Sequence, residues 1–377
     1  MCRSMEKLGK KIALFPPFGN VNLSGEDIQR WLGNRAHSNV AADPSMMIFD
    51  IQFFPHFAGR PRIGFAVFET DGFTPLQRAG IRSLDYILVP SKWAQRILEE
   101  DGFKAYVVNE GYDPEEFPSK IAVAGGWEAQ EGKKQEGKKQ EGKLQEGKPF
   151  LFLHVGKFEE RKGTAQAIRC FAAEFDPNEP VSLALHVENQ FLEGGGRTDV
   201  SREASDLGFK ASAWAGPGIP NGWQRGKNLI WWSSPRRSLA QIYRDADCGL
   251  FPSKGEGWGL PIMECIASGT PAIVGRWTAM TEYIAADYPE QLQLWHAKLE
   301  KADDGVWFHG DRGDWHVPED DEVRKRIRWA YENVRTLAES TRWIHAVAAV
   351  REFTWDRAAR QLDETVQGFI QHERESK

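Results

Sequence analysis

The sequence predicts an α/β protein made of two doubly wound, parallel-sheet units. Three observations carry that prediction. Short apolar runs alternate with amphipathic stretches in both halves of the chain, as in successive β-α-β units. A low-complexity repeat separates the two halves. The length, 377 residues, exceeds what one ordinary core fills.

In the first half, Lys11–Phe15 (KIALF) reads as a strand running into Pro16-Pro17-Phe18-Gly19-Asn20. Ser24–Leu32 opens like a capped helix, with Ser24 followed by Glu26 and Asp27. Met46–Phe49 and Arg62–Phe68 are further strand candidates, and Asp85–Val89 is a strand. Ser91–Asp101 has the spacing of an amphipathic helix, and Ala105–Val108 closes the series as a strand.

From Gln130 to Pro149 the chain repeats a five-residue unit, QEGKK-QEGKK-QEGKL-QEGKP. Each unit carries a glycine and none has an apolar face, so the stretch builds no core and reads as a solvated insertion, or alternatively as a charged tether. Beyond it, Pro149–Val155 is a near-continuous apolar run of the buried parallel kind. Helix Thr164–Phe175, strands Val181–Val187 and Leu229–Trp232, helix Ser238–Arg244 and strand Gly249–Pro252 are expected in order. Helix Pro261–Ser268 and strand Pro271–Val274 follow, and residues 319–370 read as helical throughout, with Val323, Ile327, Ala330, Val334 and Leu337 at helical spacing. The units divide as 1–125, a linker 126–149, 150–350, and a terminal helix 351–377.

Hydrophobic residues make up 41% and charged residues 27%, a soluble globular composition, and the net charge of −6 gives no global attraction to nucleic acid or anionic membrane. The 15 tryptophans, spread from Trp31 to Trp355, are expected mainly in cores or pocket walls. Cys2, Cys170, Cys248 and Cys265 have no metal or disulfide spacing and read as buried thiols. The apolar run Ile12–Phe15 is too short for a signal-peptide core, and no segment approaches about 20 apolar residues. The expected location is the cytoplasm, with peripheral membrane contact still open.

The strongest chemical signal is Ser253-Lys254-Gly255-Glu256-Gly257-Trp258-Gly259-Leu260-Pro261-Ile262-Met263-Glu264. A buried strand ends, a glycine-rich turn follows, and a helix starts at Pro261, a favoured first position. Its glycines let the backbone approach a ligand closely. Free amides of the turn and helix start suit a diphosphate. Glu256 in the turn and Glu264 one turn into the helix can both face one ligand, and carboxylates accept hydrogen bonds from vicinal hydroxyls.

This block resembles the large GT-B group of retaining glycosyltransferases with two glutamates seven residues apart, which includes glycogen and sucrose synthases and phosphatidylinositol mannosyltransferases. The resemblance implies two Rossmann-like domains facing a central cleft, with C-terminal helices crossing back to the first. It implies Glu256 on the donor sugar, Glu264 on the ribose, and Gly257, Trp258 and the Gly259-Leu260-Pro261 amides around the phosphates. His154-Val155-Gly156-Lys157-Phe158-Glu159-Glu160-Arg161-Lys162-Gly163 resembles the group's diphosphate-neutralising block. Lys157 stands where the group usually has arginine, and Lys162 matches its lysine. Lys for Arg loses the bidentate fork. The alternative reading is two solvated loop lysines.

Further matches are Gly19, in the glycine loop near the donor phosphate, and the segment holding Glu69 and Asp71, either catalytic or capping. No histidine lies between His56 and His154 to take the role many relatives give one there. Val89–Trp93, Asn109–Pro114 and Phe353–Arg357 resemble other blocks, so the resemblance covers nearly the whole chain except the repeat. It implies front-face transfer of a hexose-type sugar from a UDP- or GDP-linked donor with retention. No metal and no further cofactor are implied. The acceptor stays open: lipid, glycan, protein, small molecule or modified nucleic-acid base. A non-catalytic scaffold, a phosphorylase and an epimerase are the competing readings.

Several features read more plainly. Asp245-Ala246-Asp247 sits where residues cap and connect, although it spells a metal signature. Gly194-Gly195-Gly196 lacks a strand-to-helix context. His154 reads as structural, Trp231 and Trp232 as core or base-bordering, and Arg60, Arg62, Arg78 and Arg82 as a solvated or anion-binding cluster.

Overall fold

The computed structural model describes residues 1–15, 25–39, 43–48, 50–56, 58–121, 149–189, 192, 197–212, 222–232, 238–284, 286–305, 308, 310 and 312–375. Its first part carries helices α1 (Cys2–Lys7), α2 (Glu26–Gly33), α3 (Pro75–Arg82) and α4 (Lys92–Glu100). Between them run strands β1 (Ser45–Ile48), β2 (Arg62–Phe65), β3 (Tyr86–Val89) and β4 (Tyr106–Val107), all parallel in that order. Successive strand residues point to opposite faces. Ile87 and Val89 therefore join Phe54, Ile81, Ala94 and Leu98 on one side, while Leu88 joins Ile63, Phe65, Leu362 and Phe369 on the other.

The second part is an eight-stranded sheet. It is built from β5 (Phe150–Gly156), β6 (Val181–Val187), β7 (Lys210–Ser212), β8 (Gly222–Arg225), β9 (Asn228–Trp232), β10 (Cys248–Phe251), β11 (Ala272–Gly275) and β12 (Gln293–Leu294). Their order is β12-β11-β10-β5-β6-β9-β8-β7, parallel except at the β9-β8-β7 edge. Helices α5 (Thr164–Glu174), α6 (Arg197–Asp206), α7 (Leu239–Asp245) and α8 (Leu260–Ala267) connect the strands. A separate antiparallel hairpin, β13 (Ala297–Lys301) and β14 (Asp314–Pro318), precedes α9 (Asp320–Leu337), α10 (Thr341–Arg351) and α11 (Trp355–Glu375).

The last helix returns to the first sheet. Phe369 stacks on Tyr86 with ring centroids 3.8 Å apart, and the Gln361 amide bonds the Asn109 N–H and the Val107 carbonyl at 3.1 and 3.0 Å. No helix among the described residues is long and apolar enough to cross a membrane.

Some local expectations need correction. Lys11–Phe15 forms no strand; Leu14 N–H instead bonds the Trp31 carbonyl, which fastens the segment to α2 rather than to a sheet. Gly25 occupies the N-cap of α2, and Ser24 lies outside the described residues. The second strand ends at Phe65 because the chain then turns toward the second sheet. The C-terminal tail is three helices, and Ser340, whose hydroxyl accepts the Trp343 N–H, restarts the second of them. Helix α3 was missed, although Thr74, Pro75 and Gln77 spell its capping box.

Most described tryptophans are buried, Trp31, Trp223, Trp231, Trp232, Trp258, Trp277, Trp315 and Trp343 among them, while Trp295 is exposed. Cys170, Cys248 and Cys265 are buried free thiols and Cys2 is half-buried. The repeat and Gly194-Gly195-Gly196 lie outside the described residues.

Candidate active site

Strand β10 delivers the chain into the glycine turn, and α8 takes it out. Gly259 caps α8 with φ +91°, and a Cβ there would stand 2.8 Å from the Tyr283 hydroxyl, so only glycine fits. Pro261 lies in the first helical turn, where its missing N–H costs nothing. It therefore contributes a preset φ, and the turn's amides come from Gly259 and Leu260.

The Cβ directions of Gly255 and Gly257 point at the first sheet's side of the molecule. A Cβ on Gly255 would collide with the Glu69 carbonyl, and one on Gly257 with Val67 and with Phe68 N at 3.1 Å. Their bareness lets the turn seat against the Val67–Glu69 segment of the first sheet. The sequence expectation of close ligand approach concerned the backbone of the turn; what the structure adds is that the missing side chains make room for this segment. The Trp258 indole is 2% exposed and packs between Tyr283 and Phe353, so its side chain is core and only its backbone is offered to the turn.

Glu256 is buried at the centre of an ionic cluster. Lys162 Nζ reaches both of its carboxylate oxygens at 2.8 Å, Arg161 Nη1 reaches Oε2 at 3.0 Å, and Ser253 Oγ donates to Oε1 at 2.6 Å. Burial alone would favour the neutral acid. Lys162 and Arg161 outweigh it and hold the carboxyl at about 2. The Glu256 N–H bonds Thr278 Oγ1 at 3.0 Å. Thr278 has φ +49°, a left-handed conformation that is rare for a β-branched residue.

Lys162 arrives from the single turn Glu160–Lys162 after β5. Gly163 (φ +68°) ends that turn against the Pro252 carbonyl, and a Cβ on Gly156 would stand 3.5 Å from the Lys162 methylenes. Lys157 is exposed, outside this buried cluster. The buried cation of the cluster is Arg161, to which the sequence reading gave no role; its place beside the half-buried Lys162 was the available signal.

Glu69 comes in from the first sheet, 3.7 Å from Arg161 Nη2. Burial raises its pKa, and the Arg161 charge opposes the rise. Nearby Glu110 is raised to about 7, by burial first and by the Glu69 charge second. Asp71 is not in the cluster: its Oδ1 accepts the Asp314 N–H at 2.7 Å, at the base of β14. The hairpin thus ties the two sheets together. Gly72 N–H bonds the Arg312 carbonyl at 3.1 Å and His316 N–H bonds the Lys254 carbonyl at 2.9 Å.

Glu264 occupies a separate environment on α8. Burial raises its carboxyl to about 8, opposed by a hydrogen bond from the Tyr243 hydroxyl at 3.3 Å. Gly19 lies outside the described residues.

The plainer features are structural. His154 bonds the Leu250 carbonyl and Thr164 Oγ1 at 2.7 and 2.9 Å, and burial depresses its pKa to about 4. Asp247 accepts the Leu151 N–H and pairs with Arg335 at 3.0 Å, joining strand and helix. Among the described residues no cluster of three or more His, Cys, Asp or Glu side chains is arranged to hold a metal ion. Three of the four arginines have partners of their own: Arg78 pairs with Asp101, Arg62 lies near Asp85, and Arg82 covers Phe103.

Two facing α/β sheets, a glycine turn between them and a terminal helix crossing back define a GT-B glycosyltransferase fold. Residues 228–362 match a family model described as Family 4 Glycosyltransferase in conflict systems. That stretch contains Glu256 and Glu264 and leaves out Lys162 and Glu69. The chain is 28% identical over 137 residues to a GDP-mannose-dependent α-(1-6)-phosphatidylinositol dimannoside mannosyltransferase of Mycobacterium tuberculosis. The match spans 36% of this chain and 30% of that relative's length. Among solved structures, sucrose-phosphate synthase from Thermosynechococcus elongatus superposes with TM-score 0.59 at 14% identity, covering 96% of this chain and 86% of that one. Trehalose 6-phosphate synthase from Burkholderia multivorans gives 0.58 at 12%, covering 94% and 80%. The Anabaena protein HepE, solved with UDP and glucose, gives 0.55 at 16%, covering 82% and 72%.

Proposed function

We propose that the protein is a retaining, metal-independent glycosyltransferase that moves a hexose from a nucleotide-diphosphate sugar to an acceptor held on the side of the first sheet. The observation that carries this reading is the pair of buried Glu256 and half-buried Lys162 at a glycine turn that opens α8. A carboxylate held ionised offers strong acceptors to sugar hydroxyls, and a lysine beside it offers a cation to a leaving diphosphate.

In this reading residues 150–350 form the donor side, 1–125 the acceptor side, and 351–377 the returning helix. Lys162 and the Gly259–Leu260 amides stabilise the diphosphate as the glycosidic bond breaks, which is where charge develops. Glu256 orients the sugar and Glu264 the ribose. Glu69 is the carboxylate that the acceptor side brings within reach of the cationic cluster. Positioning of donor against acceptor supplies the remainder of the rate. The donor named for the mycobacterial relative is GDP-mannose, and HepE was solved with UDP and glucose; both are compatible with a nucleotide-sugar donor.

The test is a thermal-shift and saturation-transfer NMR screen against UDP- and GDP-sugars, using wild type and Glu264→Ala. Stabilisation by one donor, lost in the variant, supports the reading, and the anomeric configuration of the product then decides retention. No response to any nucleotide sugar would move a non-catalytic scaffold to the front.

A further inference from the structure

We propose that Arg161 is the positioning residue of this site: it is the fixed counter-ion of Glu256 and sets that carboxylate against Glu69, while Lys162 is the exchangeable partner released to the donor. The proposal deepens the glycosyltransferase reading, because it takes Glu256 as the group that holds the donor sugar.

The two cations are held differently. The Arg161 guanidinium donates from Nη1 to the Gly255 carbonyl at 2.8 Å and to Glu256 Oε2 at 3.0 Å, and from Nη2 to Glu159 Oε1 at 2.6 Å. Its own carbonyl accepts the Lys254 N–H at 2.8 Å, so backbone and side chain are both tied to the turn. The side chain is 8% exposed. A planar fork satisfying three acceptors at once has one orientation. Lys162, by contrast, presents a point charge on a four-carbon stem laid along Gly156.

The acceptor capacity of Glu256 then decides which partner leaves. A carboxylate offers about four lone-pair sites. Two bonds from Lys162, one from Arg161 and one from Ser253 fill them. A sugar hydroxyl can be received only if a partner withdraws. Lys162 has a second anion to go to once a diphosphate sits at the turn, whereas Arg161 would abandon Gly255 and Glu159 as well.

With Lys162 withdrawn, Arg161 alone faces Glu69, Glu159 and Glu256, and it keeps Glu256 ionised for the sugar. It also maintains the approach of the two sheets, since the carbonyl it holds belongs to Gly255, whose bare Cα sits against the Glu69 carbonyl. Arg161 Nε is buried with no hydrogen-bond partner, which fits a guanidinium oriented by its two terminal nitrogens.

The test compares Arg161→Lys, Arg161→Met and Lys162→Met in the full chain, with two readouts. The first is the 13Cδ titration of Glu256 in ligand-free, 13C-glutamate-labelled protein, assigned with Glu256→Gln. The groups facing Glu256 are Lys162, Arg161, Glu159, Glu69, Tyr283 and His154. Loss of Arg161 is expected to raise the Glu256 midpoint by at least about one unit even with Lys162 intact.

The second readout is the split between kcat and the donor constants. Arg161→Lys is expected to lower kcat on the order of 100-fold with donor KM within about 3-fold, whereas Lys162→Met weakens donor binding and raises KM. A rise in donor KM for Arg161→Lys matching that of Lys162→Met would overturn the proposal by making Arg161 a diphosphate ligand. So would an unmoved Glu256 titration. If Arg161→Met does not fold, the neutral Arg161→Gln carries the titration and Arg161→Lys the kinetic split. If wild type turns over no donor, the glycosyltransferase reading falls while the titration still decides the pairing.

Discussion

Lys162 places its ammonium 2.8 Å from both oxygens of the Glu256 carboxylate, a symmetric contact between a half-buried cation and a buried anion. Removing one partner of a buried pair leaves a charge uncompensated, typically at about 3–5 kcal/mol. Arg161 and Ser253 remain here, so Lys162→Met is expected to cost about 1–3 kcal/mol, measured by guanidinium unfolding. The pH dependence follows from the same pair. Glu256 sits at about 2 in the fold against an ordinary 4.5. Its contribution is therefore present above pH 4.5 and lost as the pH falls toward 2. Wild type should lose stability across that window more steeply than Lys162→Met.

Gly257→Ala should separate sheet docking from donor binding. The new Cβ meets Val67 and the Phe68 backbone, and neither is the far end of a flexible side chain that could swing away. We expect destabilisation of about 1–3 kcal/mol and lost transfer, with nucleotide affinity largely retained. A variant with wild-type melting temperature and transfer rate would show that this contact is not needed.

Asp71 tests the hairpin strap. Asp71→Ala removes the acceptor of the Asp314 N–H, and a hydrogen bond to a carboxylate contributes roughly 1.5–3 kcal/mol. Hydrogen exchange at the Asp314 amide should quicken, by an amount that tracks the stability lost. A large fall in kcat without faster exchange would instead give Asp71 a catalytic role.

Glu264, raised to about 8 by burial, should make nucleotide binding depend on pH. The ionised carboxylate accepts from two ribose hydroxyls, whereas the protonated form must use one oxygen as a donor. Affinity is therefore expected to strengthen as pH rises from 6.5 through 8, by calorimetry. Glu264→Gln should flatten the dependence. For folding the sign is opposite: a raised carboxyl pKa makes the fold lose stability from this group between pH 4.5 and 8.

The parallel sheets, the glycine turn and the entry into α8 were legible in the sequence because each is local. Apolar runs such as Phe150–Val155 declare buried strands, and glycine followed by Leu-Pro declares a helix start. Glu256 and Glu264 could be singled out because they sit at fixed distances from those signals, whereas Lys162 was picked out by the resemblance of its block to the glycosyltransferase group. Lys11–Phe15 misled, because a strand-like run forms a strand only where a neighbour offers a ladder. The β13–β14 hairpin was not legible, since Ala297–Lys301 has no apolar alternation strong enough to announce it.

What the sequence by itself determined was which residues could form elements and which turn could receive an anion. Only the tertiary structure decided that Gly255 and Gly257 admit the Val67–Glu69 segment, that Trp258 turns into the core, and that Arg161 enters the cluster while Lys157 stays outside. The physical reason is range. Periodicity and turn chemistry act over a few residues, whereas the contacts that join Glu69, Arg161 and Glu256 link positions about 90 residues or more apart and exist only once both sheets are packed.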